Sequence, residues 1–485
     1  MASKKGNVIG NSLRWSSAGE ILSKLIVPIS NMILARILVP EDFGVLASIN
    51  MIISFVDLFT DSGFAKYLIQ SDYKDDDELY QYANVAFWTN FCVSAFLYVI
   101  ILVFRNPIAR LAGSPGCGSA IAIASVQLLL TSFSSIQMAL YKRHFDFKTL
   151  FLQRLIVAFV PMIVTVPIAY FTKSYWSLIA GSMTSAALNA IILTLKSHWK
   201  PYLFYSVGIL KKMFSFSVWS LAEAVAYWLT NWIDVFIIGT AFSAYYLGIY
   251  KNSLNMVNSI MALVKASIIP VLFSSLSRLK HNDKEFEAVY FSLQRLTSCV
   301  LIPMGVGLFL FRRLATSFMF GPGWDEAANI VGAWALASSY FILFEGFNGE
   351  AYKAKGIPKI LFAFQVAFIA VMVPVCVAAK NIGFWPMVYT RSATIGIEVI
   401  IGLFFMKKYI GFSISKMVFN IVPGLVGSIL MFAGGYFVKQ INPSVIWQIT
   451  SIAICVVIYG VVLLLFFRKQ VLSDIKVFKT NWHIK

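Results

Sequence analysis

The sequence predicts an all-α integral membrane protein with about fourteen transmembrane helices: two six-helix lobes related by internal duplication, plus two C-terminal helices. Three observations predict it. Of the 485 residues, 59% are hydrophobic and 13% charged, with a mean hydropathy of +0.76, whereas soluble domains carry roughly 25% charge. Apolar windows of the ~20 residues that a bilayer-crossing helix needs recur along the whole length. Short motifs also return at a nearly constant offset, the mark of a repeat.

The spans follow in order. A polar lead, MASKKGNVIGNS, opens a first span at 11–39 that is too long and too charged for a cleavable signal core. Further apolar windows fall at 44–69, 80–104, 118–141, 149–172 and 175–196, completing six. Another six fall at 212–240, 243–274, 286–311, 326–352, 358–380 and 384–406, and two more at 416–438 and 445–467. The final stretch, 468–485, sets Val471, Leu472, Ile475 and Phe478 at helical spacing among lysines, as in a basic amphipathic helix lying on the inner membrane surface.

The duplication rests on paired motifs. EDFGVL at 41–46 matches YYLGIY at 245–250, and FRNPIARLAG at 104–113 matches FRRLATSFMFG at 311–321. ALYKRHFDFKTLF at 139–151 matches EAYKAKGIPKILF at 350–362, and SYWSLI at 174–179 matches GFWPMV at 383–388. RWSSAGE at 14–20 is echoed by VWSLAEA at 218–224. These set an N-lobe at 1–205, a C-lobe at 206–410 and two added helices within 411–467. An even number of spans per half gives parallel repeats, as in transporters whose lobes meet around a central cavity.

A net charge of +18 does not point to nucleic acid, because the basic residues are dispersed over helix ends instead of forming one solvated face. They follow topology instead. With the first terminus inside, most loop lysines and arginines fall on the inner side, among them Lys142, Arg143, Lys196, Lys200, Lys211, Lys212, Lys353, Lys355, Lys407 and Lys408. That asymmetry places both termini in the cytoplasm. The acidic run DYKDDDE at 72–78 falls inside as well. Five cysteines without pair spacing and four histidines outside the spans imply no disulfide framework and no metal centre. No cofactor is expected.

Ionisable residues inside spans are costly in lipid and point to function, and here they form stripes. Glu20, Lys24 and Asn31 share one face of the first helix; Asn50, Ser54, Asp57 and Asp61 share one of the second. Ser220, Glu223, Tyr227, Asn231 and Asp234 do so in the seventh, and Lys251, Asn255, Asn258 and Lys265 in the eighth. Other membrane charges, Arg154, Arg295, Arg391, Glu345, Glu350 and Glu398, lie on helices without so long a stripe. The bland reading is structural: Glu20 and Lys24 can satisfy each other one turn apart, and Asp61 can clamp the loop after it. Trp219, Tyr227, Trp228 and Trp232 can stack on sugar rings or simply pack and anchor. Pro28, beside the first stripe, suits a hinge.

The stretches LARILVPEDFGVLASINMIISFVDLFTDSGFAKYLIQ at 34–70 and WIDVFIIGTAFSAYYLGIYKNS at 232–253 resemble the polysaccharide transporter family, the O-antigen, colanic-acid and teichuronic-acid exporters of the MOP flippase superfamily. The resemblance runs over the whole chain and is more specific for the superfamily than for the glycan. It implies a bacterial inner-membrane flippase moving an undecaprenyl-pyrophosphate-linked oligosaccharide by alternating access. The partners implied are that lipid-linked oligosaccharide, membrane lipids, a coupling H+ or Na+, and other glycan-assembly proteins.

On this reading Lys24, Lys251 and Lys265, with Asn50, Tyr227, Asn255 and Asn258, would bind substrate, the lysines acting as point charges on the diphosphate. No phosphate-cradling Gly-Lys-Ser/Thr loop appears, so an ion gradient is the remaining drive. Asp57 and Asp61, near the middle of the second helix, with Glu20, Glu223 and Asp234, would couple it. The stripes carry five carboxylates against three lysines. An anionic cargo therefore requires that carboxylates be protonated or cation-bound, that some face elsewhere, or that Arg154, Arg295 and Arg391 also reach the cavity. The rival readings are a multidrug exporter of the same superfamily, favoured by the acidic stripes, and a membrane glycosyltransferase or glycan polymerase. The sequence shows neither the large loop nor the nucleophile and base constellation that such an enzyme needs.

Overall fold

The computed structural model describes residues 26–61, 63–470 and 472–474. Among them, thirteen helices are long and apolar enough to cross a membrane, and the shorter apolar helix α1 (Ile26–Ile37) precedes them. Every regular element among the described residues is helical, as the apolar windows predict.

Helix α2 (Pro40–Asp61) starts where its sequence says it should. Pro40 occupies the first helical position, where a missing N–H is harmless. The Asp42 carboxylate accepts from the Val39 N–H (3.3 Å), the reach-back half of a capping box. The expected span at 44–69 is two helices, not one: α2 ends at Asp61, Gly63 turns through φ 77°, and α3 (Phe64–Gln70) begins anew. A left-handed residue cannot continue a helix, and glycine takes that conformation without a Cβ clash.

Helix α4 (Asp76–Val103) absorbs part of the acidic run. Asp75 caps it by accepting from the Glu78 N–H (2.8 Å), and the carboxylates of its first turn complement the helix dipole. Then come α5 (Arg105–Leu111), α6 (Gly118–Ala124), α7 (Gln127–Arg143) and α8 (Phe147–Val160), the last capped by Asp146. A π-helical turn at Pro161–Thr165 leads to α9 (Val166–Thr172), then α10 (Trp176–Lys196), α11 (Val207–Ala241) and α12 (Ala244–Arg278).

The remaining helices are α13 (Asp283–Leu310), α14 (Arg312–Phe320), α15 (Ala327–Phe341), a second π-helical turn at Ile342–Gly346, and α16 (Phe347–Ala354). They continue as α17 (Lys359–Lys380), α18 (Phe384–Tyr409), α19 (Ile414–Phe419), α20 (Val422–Gln440) and α21 (Val445–Phe466). The expected span at 416–438 thus starts later, after the separate short helix α19. Of the amphipathic tail, only 468–470 and 472–474 lie within the described residues, and both short pieces are helical.

The duplicated motifs adopt matching backbone conformations. Phe104 and Phe311 break their helices at nearly the same dihedrals, φ −98° and ψ 19° against φ −104° and ψ 24°. Phe145 and Gly356, equivalent in the third motif pair, are both left-handed, with φ 57° and 75°. Each turn closes with the same two bonds. The N–H groups of Phe145 and Asp146 donate to the carbonyls of Lys142 and Tyr141, and those of Gly356 and Ile357 to Lys353 and Tyr352. This is the two-bond helix end that a left-handed residue permits.

By packing, the chain divides into two compact units, Met1–Lys251 and Asn252–Lys485. The first holds one core of Phe64, Leu68, Phe87, Ile136 and Trp199 and another of Val45, Ile49, Ile121 and Leu128. It also holds a close backbone crossing of α2 and α12. A Cβ on Gly44 would strike the Ala244 carbonyl, and one on Gly248 would strike the Pro40 carbonyl and lie 3.0 Å from the Gly44 N. Small residues that let helices touch backbone to backbone are a usual way to join spans in lipid. In the second unit α13 packs on α15 and α20, with Leu310, Phe311, Met431, Cys455 and Tyr459 forming one buried cluster.

Candidate functional site

The expected site residues fall in both units. Glu20 and Lys24 lie outside the described residues. In the first unit Asn50, Ser54 and Asp57 line one half-buried side of α2. Ser54 accepts from the Trp228 indole (3.0 Å), and Trp228 packs on the Phe55 ring at 4.8 Å. Asp57 takes the Thr60 hydroxyl (2.8 Å). Asp57 stands one turn before the end of α2, and Asp61 is its last residue, so this pair sits at a helix terminus instead of mid-helix. The cause is the turn at Gly63, which the apolar text around it conceals.

On α11, Glu223, Tyr227 and Asn231 are exposed at successive four-residue steps. Glu223 pairs with Lys66 of α3 at 3.6 Å, both side chains being about half exposed. Asp234 lies on the same helical face but is buried, because Tyr250 covers it at that level and donates to its Oδ2 at 2.6 Å. Its Oδ1 takes the Val235 N–H at 2.7 Å. Lys251 lies over the Trp232 ring, 4.1 Å from its centre, so this aromatic packs on a lysine. Arg154 on α8 is half-buried and has no hydrogen-bond or ion-pair partner among the described residues.

In the second unit Asn255, Asn258 and Lys265 are exposed along α12. Asn258 accepts from the Trp334 indole (3.1 Å), and the buried Arg391 guanidinium sits 5.2 Å from that ring's centre. Arg391 also donates to Thr394 (3.3 Å). Arg295 faces Asp474 (3.5 Å) and donates to Asn420 (3.0 Å).

Several polar features escaped the sequence reading. Asp42 also accepts from the Tyr175 N–H (2.8 Å), tying α2 to the start of α10; its signal was the spacing Val39-Pro40-x-Asp42. Asp474, an acid among tail lysines, is 4% exposed. Burial pushes its carboxyl above the usual range, while Arg295 and a Ser292 hydrogen bond pull the other way. Glu345, in the π-helical turn, accepts from Asn348 (3.2 Å), whose own oxygen takes the Tyr290 hydroxyl (2.8 Å).

Residues 33–329 match the family described as polysaccharide biosynthesis protein. This chain belongs to that family. Among curated relatives it is 24% identical over 306 residues to the succinoglycan biosynthesis transport protein ExoT of Rhizobium meliloti, covering 63% of this chain and 61% of that one. It is 20% identical over 320 residues to the lipopolysaccharide biosynthesis protein WzxC of Escherichia coli, covering 66% and 64%. The matches thus span under two thirds of these relatives' length. In fold it is similar to lipid II flippase MurJ in an inward closed conformation, with a TM-score of 0.76 at 15% identity over 94% of this chain and 99% of that one. It is also similar to an inward-facing multidrug resistance MATE family transporter of the MOP superfamily, at 0.61 and 10% identity over 81% and 98%. The polysaccharide biosynthesis family member is thus a multi-pass membrane protein, helical among the described residues, with the fold shared by those transporters.

Proposed function

We propose that the chain is a flippase that moves an undecaprenyl-pyrophosphate-linked oligosaccharide across the bacterial cytoplasmic membrane by alternating access between duplicated lobes, 1–205 and 206–410, with 411–467 as added helices. The observation that carries this is the set of polar side chains exposed on membrane-length helices: Glu223, Tyr227 and Asn231 on α11, and Asn255, Asn258 and Lys265 on α12. Such groups are costly against lipid tails. Hydroxyls and amides at successive helical steps suit a glycan, and a lysine suits a diphosphate. Family membership, the relatives' names and the flippase-like fold agree with it.

Lys251 and Lys265, with Lys24, supply the positive charge in this reading; Arg154, Arg295 and Arg391 are secondary. Asp57 and Asp61, with Glu20, Glu223 and Asp234, are the candidates for H+ or Na+ coupling. Both termini lie in the cytoplasm. Glycan-assembly proteins are the expected partners, and the chain acts as a transporter and not as an enzyme.

The test is export in a cell dependent on this chain. Lys265→Ala should block glycan export and leave lipid-linked oligosaccharide on the inner leaflet while the protein still inserts. Survival of export with Lys24, Lys251 and Lys265 all replaced by alanine would move the anion site elsewhere. Export of cationic drugs in place of glycan would favour the multidrug reading.

A further inference from the structure

At one end of the second unit the chain breaks between α13 and α14, and a basic pocket of about 290 Å³ opens there, lined by Arg312, Arg313 and Lys439. None of its described lining residues is a carboxylate. Lys439 donates to the Leu310 carbonyl (2.9 Å), and Arg312 bonds the Phe309 carbonyl (3.1 Å) and Asn329 (3.3 Å), which fixes two of the cations. Arg313 is exposed and has no partner among the described residues. The charges of Arg312 and Arg313 both act on Lys439. Among the described residues three cations converge with no anion between them.

Below this pocket runs an apolar groove of about 650 Å³ between α13 and α21. The two share Phe311 and Leu314 in their walls, so they adjoin. Pro303, Gly307 and Ile449 line the groove, and a side chain at Gly307 would meet only open space. The basic pocket lies where the spans Asp283–Leu310 and Val422–Gln440 end and Val445–Phe466 begins, and the ends of a bilayer-crossing helix fall at the headgroups. Trp447, donating to the Val438 carbonyl, and Tyr436 stand at that boundary, as interfacial aromatics do. From Leu308 back to Cys299 the groove follows α13 for about 14 Å at ~1.5 Å per residue, close to one leaflet of a ~30 Å hydrocarbon core.

From this geometry we infer a binding site for an anionic diacyl phospholipid, its phosphate among Arg312, Arg313 and Lys439 and an acyl chain in the groove beside Pro303, Gly307 and Ile449. The charge selects the headgroup, and the leaflet-length groove selects an acyl chain over a longer polyprenyl tail. Such a lipid serves the protein as a bound structural partner and is not its cargo.

The experiment follows thermal unfolding of the full chain in detergent with added dioleoyl phosphatidylglycerol, dioleoyl phosphatidylcholine or inorganic phosphate. Phosphatidylglycerol alone should raise the midpoint. Arg313→Gln should raise the half-maximal lipid concentration about fivefold, the worth of one cation near an anionic headgroup. Ile449→Trp should abolish the response by filling the groove. Native mass spectrometry of the unmodified chain should show phosphatidylglycerol adducts outlasting phosphatidylcholine adducts, a readout independent of either variant's folding. An equal rise with phosphatidylcholine or with phosphate alone would overturn the site, as would an unchanged half-maximal concentration in Arg313→Gln. Undecaprenyl diphosphate displacing phosphatidylglycerol at equal concentration would assign the groove to the carrier lipid and overturn it too.

Discussion

The Tyr250 hydroxyl donates to the Asp234 carboxylate at 2.6 Å, and both residues are buried. Removing one partner of a buried hydrogen bond costs about 1–3 kcal/mol. Tyr250→Phe should therefore lower the unfolding temperature in detergent. Asp234→Asn, which keeps an acceptor for Tyr250, should cost less than Asp234→Ala. Loss of the gradient response in Asp234→Asn at unchanged stability would instead support a coupling role.

The backbone crossing at Gly248 leaves no room for a methyl group. Its Cβ would collide with the Pro40 carbonyl, which a main chain held by α2 cannot vacate. Gly248→Ala should fail to accumulate as a folded protein, whereas Gly396→Ala, where a Cβ meets nothing within 4 Å, should behave as the unmodified chain. Size-exclusion chromatography of the two variants decides it.

Phe145 holds a left-handed backbone that costs an ordinary residue about 1 kcal/mol, while its repeat mate is Gly356. Phe145→Gly should thus lose little stability or gain, and Gly356→Ala should lose about 1 kcal/mol. Denaturation of both variants against the parent checks the sign.

Asp474 binds its proton more tightly when folded than an ordinary carboxyl does, because burial opposes its charge. A raised folded-state pKa gives stability that is full below the unfolded value, ~3.9, and is lost as pH rises through the folded value. Asp474→Asn should therefore unfold at an equal or higher temperature than the parent near neutral pH, with the difference shrinking toward pH 4. A lower melting temperature at neutral pH would show that the ion pair with Arg295 outweighs burial.

The sequence revealed the helices because a twenty-residue apolar window is a strong signal, and most ends fell within a few residues of Lys, Gly or Pro. The break after Asp61 was hidden, since Ser62 and Gly63 interrupt no charge pattern. The π-helical turn at Pro161 had a proline to announce it; the one at Ile342 had none. Stripe phase told which residues share a face but not what lies over each level of it. Asn231 and Asp234 are neighbours on one face, yet one is exposed and the other sealed by Tyr250. That covering depends on a residue sixteen positions away, beyond what periodicity can report.

Gly44 and Gly248 occupy the same place in EDFGVL and YYLGIY, and they meet each other. A contact in which a motif touches its own copy is self-complementary, as at the two-fold axis of a homodimer. Here the joint lies within one chain, so its formation does not depend on protein concentration, and a bulkier residue at either glycine strikes main chain of the other segment.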